Sequence, residues 1–71
     1  MPCLRLNIPT IVGGTQGPAL ERTLLAEPGV YAAFVHCVEK YVEIDFEDDE
    51  ITLTRLIEVV REAGFDARVA G

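Results

Sequence analysis

Seventy-one residues and 7.8 kDa suffice for one compact domain, and 49% hydrophobic content with a mean hydropathy of +0.24 excludes a disordered tail or linker. Twelve acidic residues against six basic ones leave a net charge of -6, which excludes sequence-independent phosphate binding, so no nucleic-acid partner is expected. No apolar run approaches the ~20 residues that cross a bilayer, and Met1-Pro2-Cys3-Leu4-Arg5 has neither the basic region nor the apolar stretch of a signal peptide, so the expectation is one soluble cytoplasmic domain over residues 1–71 without membrane insertion.

Leu4, Leu6 and Ile8 alternate with Arg5 and Asn7, the period of a strand with one buried side. Residues 9–18 break that pattern with three glycines and two prolines, and Pro18 suits the first turn of a helix, where its missing N–H would have no partner. The helix is predicted to run to about Glu27, with Leu20 and Leu24 one turn apart, until Pro28-Gly29 stops it. Two strands follow, Val30 to Cys37 and Tyr41 to Phe46, joined by a hairpin, with Ala33, Val35, Cys37, Val42, Ile44 and Phe46 toward the core. Thr52 is a good N-cap for a second helix, with Ile51 placed to staple onto Leu56. Leu53, Leu56, Ile57, Val60 and Ala63 give that helix its apolar stripe, and Gly64 caps its end. Phe65 to Val69 leaves room for a last short strand. The order strand, helix, strand, strand, helix, strand predicts an α+β, ferredoxin-like βαββαβ open-faced sandwich: a four-stranded antiparallel sheet with two helices on one face.

With the elements in this order, the sequence resembles the heavy-metal-associated domains of copper chaperones and metal-pumping ATPases. Pro28-Gly29-Val30 matches the family's Pro-Gly-Val between first helix and second strand, Thr52-Leu53 with Leu56-Ile57 its Thr-Leu-x-x-Leu-Ile, and Glu62-Ala63-Gly64-Phe65-Asp66-Ala67 its Glu-Ala-Gly-Tyr-x-Ala. The resemblance covers nearly the whole chain and implies the family's fold. At the first loop the chain departs from it. The family binds Cu(I) or similar cations through Met-Thr-Cys-x-x-Cys, because two thiolates at that spacing suit a soft ion. In register, this chain carries Ile11-Val12-Gly13-Gly14-Thr15-Gln16, so Gly13 and Gln16 stand where the two cysteines would be. The family's Cu(I) binding is therefore not expected here, and no metal ligand or cofactor is assigned.

Cys3 and Cys37, the only thiols, lie toward opposite ends of strands separated by a third, too far apart for a disulfide. His36 and Cys37 are neighbours on a strand, so they face opposite ways and read as a surface histidine and a buried cysteine rather than one metal site; His36 with Glu43 across the hairpin would be a weak alternative lacking further ligands. Gly13, Gly14 and Thr15 could offer backbone N–H groups to an anion at a helix N-terminus, but no lysine follows them, and a simple turn is the plainer reading. Glu47-Asp48-Asp49-Glu50 lacks the spacing of a calcium loop and reads as solvated charge ahead of a helix. Thr15, Thr52 and Thr54 have no His base with an orienting carboxylate in sequence context, and a single histidine leaves little room for a triad, so no enzyme is expected.

Two surfaces remain as candidates: the loop at the family's metal site, Gly13, Gly14, Thr15 and Gln16 with Phe65 over it, and the outer sheet face with Phe34, His36, Tyr41 and Glu43. The leading reading is an interaction or regulatory module that has lost the thiolate site, with a protein partner or self-association open. The alternatives are a metal-handling accessory protein with other ligands, and an anion sensor using the glycine loop.

Overall fold

A computed structural model describes residues 3–69. Met1 and Pro2, read above for a leader, and Ala70 and Gly71 lie outside the described residues. The chain runs β1 (Cys3–Asn7), α1 (Gln16–Leu25), β2 (Val30–His36), β3 (Tyr41–Phe46), α2 (Leu53–Glu62) and β4 (Arg68–Val69). The strands form one antiparallel sheet in the order β2-β3-β1-β4, with both helices on one side of it. This is the expected βαββαβ sandwich.

Alternation along β1 and β3 puts Leu6, Val42 and Ile44 wholly out of solvent, where they meet Leu20 and Leu24 of α1 and Leu56 and Val60 of α2. The predicted stripe on α2 is corrected in part. Leu56 and Val60 are buried, but so is Val59, which was not expected, while Leu53 is 40% exposed and Ala63 faces solvent. The helix is rolled so that Leu56, Val59 and Val60 meet the sheet, and Leu53 stays at its rim. On β2 a register irregularity between Val30 and Ala32 breaks the period of two, so Val30 and Ala33, three apart, both enter the core. Val35 and Cys37, expected as core, are only half-buried at its margin.

Capping sets the boundaries. Thr52 accepts a hydrogen bond from the Arg55 N–H at 3.1 Å, as expected of an N-cap. At the other end of α2 the Gly64 and Phe65 N–H groups donate to the Arg61 and Val60 carbonyls, with Gly64 at φ 98°, a Schellman closure that only glycine makes without strain. Three predicted ends move inward. Helix α1 stops at Leu25 rather than Glu27, since the Glu27 N–H bonds the Leu24 carbonyl in a tightened turn. Strand β2 ends at His36, whose carbonyl accepts the Lys40 N–H to close the hairpin. Strand β4 holds only Arg68 and Val69, because Phe65 and Asp66 give their N–H groups to Val60 and to the Thr10 hydroxyl instead of to a strand. Gly29, at φ 90°, comes so close to the β3–α2 turn that a Cβ on it would lie 2.8 Å from that of Glu50.

Leu56 has no exposed surface at the centre of the helix layer. Leu56→Ala is expected to cost about 2–5 kcal/mol in urea unfolding, a large share of the stability of so small a domain; a loss below about 1 kcal/mol would contradict its place in the packed layer.

Candidate functional site

The first candidate, the β1–α1 loop, is built on two apolar anchors. Ile8 and Ile11 are fully buried, and the Ile11 N–H closes a turn on the Ile8 carbonyl at 3.0 Å. Between them and the helix, Val12, Gly13, Gly14, Thr15 and Gln16 lie exposed. Two side chains hold this segment. Gln16, the first residue of α1, accepts the Val12 N–H on its Oε1 at 2.8 Å. Lys40, at the hairpin tip, donates from Nζ to the Ile11 carbonyl at 2.9 Å, and its own carbonyl accepts the Ile8 N–H at 2.9 Å. Lys40 does this in the left-handed region, at φ 61°, which a residue with a side chain adopts only when its surroundings impose it.

The Val12 N–H and the Ile11 carbonyl are thus satisfied by the chain's own side chains. The loop's donors do not fit a soft cation: Gly13 has no side chain, and the Gln16 amide oxygen is already engaged. Of the loop's N–H groups that of Val12 is taken, and the nearby ammonium of Lys40 is bound to a carbonyl. A Cβ at Gly13 would meet nothing within 4 Å, and Gly13 lacks the positive φ of Gly14, which stands at 77°.

Phe65 is half-buried and packs against the core. The adjacent Asp66 N–H donates to Thr10 Oγ1 at 3.0 Å, tying this stretch to the loop from the far side of the sheet. No cavity opens beneath it among the described residues. Phe65→Ala is expected to lower stability by roughly 2–3 kcal/mol, the low end for an aromatic truncation because burial is partial; urea unfolding showing a loss under about 1 kcal/mol would mean that its packing supports nothing.

The second candidate is the sheet side that carries no helix. Strand register puts His36, Tyr41 and Asn7 in one row across β2, β3 and β1, and Phe34, Glu43 and Arg5 in the next. Four of these close a ring. Tyr41 stacks on His36 with ring centres 4.4 Å apart, and the Arg5 guanidinium lies 4.3 Å over the same tyrosine ring. Glu43 Oε1 then receives both Arg5, at 3.4 Å, and His36 Nε2, at 3.6 Å. Phe34 stands beside the ring, 58% exposed. Sequence reading named Phe34, His36, Tyr41 and Glu43 but missed Arg5, although its alternation with Leu4 and Leu6 already put it on this side. It missed Lys40 too, and no local signal in the sequence could have shown that its side chain reaches the loop.

His36 and Cys37 are divided as expected, with His36 on the open face and the Cys37 sulphur beside Gly17 of α1. Both cysteines are free. Among the described residues the one group of three or more metal-ligating side chains within reach of each other is Glu47, Asp48 and Asp49, in the acidic run before α2. Asp45, opposite Cys3 in the sheet, accepts a hydrogen bond from its thiol and so raises its pKa; loss of the proton would place a thiolate beside a carboxylate. Cys3 should therefore alkylate more slowly than an ordinary exposed cysteine at pH 8, and Asp45→Asn should speed it. Peptide-resolved mass spectrometry of iodoacetamide labelling reads this, and equal rates would exclude the effect.

Among solved structures, the chain superimposes on a copper-binding domain of a P-type ATPase with a TM-score of 0.95 at 18% identity, covering 100% of this chain and 96% of that one. Oxidised MerP of Ralstonia metallidurans gives 0.92 at 16% identity, with 99% and 97% covered, and a CopZ metallochaperone gives 0.90 at 21%, with 94% and 100% covered. The fold is that of the heavy-metal-associated domains. No known family's sequence profile matches the chain. An uncharacterised protein of Haemophilus influenzae is 36% identical over 67 residues, spanning 94% of this chain and 97% of its own length, and the chain belongs to the same family as that protein.

Proposed function

We propose that this is a heavy-metal-associated-fold protein that no longer carries a metal on its first loop and works as a protein-interaction module, with the open sheet face as the docking surface. The observation that carries this reading is Gln16. It stands where the resemblance expects the second cysteine, and its amide oxygen holds the loop backbone at Val12 N. The solved proteins that share the fold include copper-binding domains and a metallochaperone, and the chain shares their scaffold. A module without that cargo has its surfaces left to act with. The open face supports docking because its aromatic and charged groups are held in one arrangement before any partner arrives, which lowers the ordering cost of binding.

A cation held by His36 and Glu43 is less favoured. Their donor atoms are adjacent, but Glu43 Oε1 already faces the Arg5 guanidinium, and no third ligand joins them among the described residues.

Competition of the reduced wild type against a strong Cu(I) chelator should show no transfer to the protein; tight one-to-one uptake that survives Cys37→Ser would refute the reading. Gly13→Cys combined with Gln16→Cys should create soft-metal binding, since position 13 has free space and an unstrained backbone. Failure of that double variant in a folded protein would mean that the loop backbone departs from the thiolate-presenting shape.

A further inference from the structure

We propose that the open sheet face docks a second copy of this chain, the two sheets stacking about a two-fold axis that runs along the strands between β1 and β3. The proposal rests on reading that face as the docking surface, and adds the identity of what docks there.

Charge on the face is divided by strand. Strand β3 presents Glu43 and Asp45, whereas β1 presents Arg5 and its other neighbour β4 presents Arg68, the register partner of Asn7. A two-fold axis lying between the sheets and parallel to the strands lays β3 of one copy over β1 of the other without changing height along the strand. Arg5 and Glu43 are register partners at one height. The operation therefore sets Glu43 over the second copy's Arg5, and Arg5 over the second copy's Glu43. The two intrachain pairs become a quartet of alternating charge. An axis across the strands would instead bring Glu43 onto Glu43 and Arg5 onto Arg5, so only one of the two in-plane axes is electrostatically satisfied.

The rest of the surface argues for the same occupant. Two copies at -6 each repel one another, and most acidic residues lie away from this face, where Arg5 and Arg68 stand among Glu43, Asp45 and Asp66, the last 3.8 Å from Arg68. The open face is where positive and negative groups come nearest to balance, so it is where two such chains meet at least electrostatic cost. Stacking also brings Phe34, 58% exposed, under cover at the flank, over the second copy's β4. Sheets stack about 10 Å apart, and a face of this width would bury roughly 1,000–1,200 Å² in total, at the low end for specific interfaces, so the dimer should be weak and rapidly exchanging.

Sedimentation equilibrium from about 10 μM to 1 mM, in low salt with a chelator present, should show a monomer–dimer equilibrium that weakens in 0.5 M salt. Arg5→Glu and Glu43→Arg should each weaken it at least tenfold, and the double variant should return it to within about threefold of wild type. These two single changes move net charge in opposite directions, so general repulsion cannot account for both losses. The double variant also remakes the intrachain pair, so urea unfolding of each variant separates a folding defect from lost association. Should a single variant not fold, the wild type suffices: on dilution, amide shifts should concentrate on β1 and β3. Shifts confined to the helices would overturn the proposal, as would dimerisation indifferent to the swaps. A wild type that stays monomeric to 1 mM overturns the second copy as occupant and leaves the face to a different protein, while the Cu(I) competition still judges the loss of metal binding independently.

Discussion

Burial of one side of a four-stranded sheet beneath two helices is the constraint on which everything else in this chain depends. Leu6, Val42 and Ile44 lose all contact with water because α1 and α2 lie over them, and a domain of this size has no second core to fall back on. With six elements and one layer of helices, the other side of the sheet must stay open. Its side chains cannot be merely apolar without inviting aggregation, and the chain meets this with a paired Arg5 and Glu43 and with Tyr41 held between cationic and aromatic neighbours. The open face is thus a direct consequence of the core.

The loop between β1 and α1 illustrates the complementary point, that a loop without thiolates can be held by packing and a few polar contacts. Two thiolates and an ion would crosslink such a loop to itself. Here Gln16 bonds Val12 across the start of the helix, and Lys40 reaches in from the hairpin to Ile11. The first joins two neutral amide groups and is worth on the order of 1 kcal/mol, while the second has a charged donor and is worth about 1.5–3 kcal/mol at most. The first is exposed and the second part-buried, whereas the fully buried Ile8 and Ile11 fix where the loop leaves the core. Packing sets the path of the loop, and the polar contacts close it.

Much of this was legible in the residues, for identifiable reasons. Strong alternation in β1 and β3, the Thr52 cap and the Pro28-Gly29 and Gly64 stops are local signals, and each coincides with an element boundary or a buried side of the structure. What the pattern could not carry was set by contacts between distant segments. The irregularity after Val30 changes which β2 residues face inward, and the choice between Leu53 and Val59 on α2 depends on how the helix rolls on the sheet. The short β4 depends on Asp66 giving its N–H to Thr10, 56 residues away in sequence. On the open face the four named side chains are close together, but the residue that links them across the sheet, Arg5, belongs to β1 and becomes relevant only once β1 is known to pair with β3.

The two candidate surfaces are joined through the hairpin between β2 and β3. His36 and Tyr41 are the last paired residues before its tip, and both belong to the ring on the open face. The His36 carbonyl accepts the Lys40 N–H, the Lys40 carbonyl accepts the Ile8 N–H, and Lys40 Nζ holds the loop at Ile11. One residue, in a backbone conformation that its neighbours must enforce, therefore touches both places. The loop cannot shift far without releasing Lys40, and Lys40 cannot relax without disturbing the turn that sets His36 against Tyr41. Here the loop is fastened to the strand pair that presents the open face, and that fastening ties the order of that face to the closure of the loop.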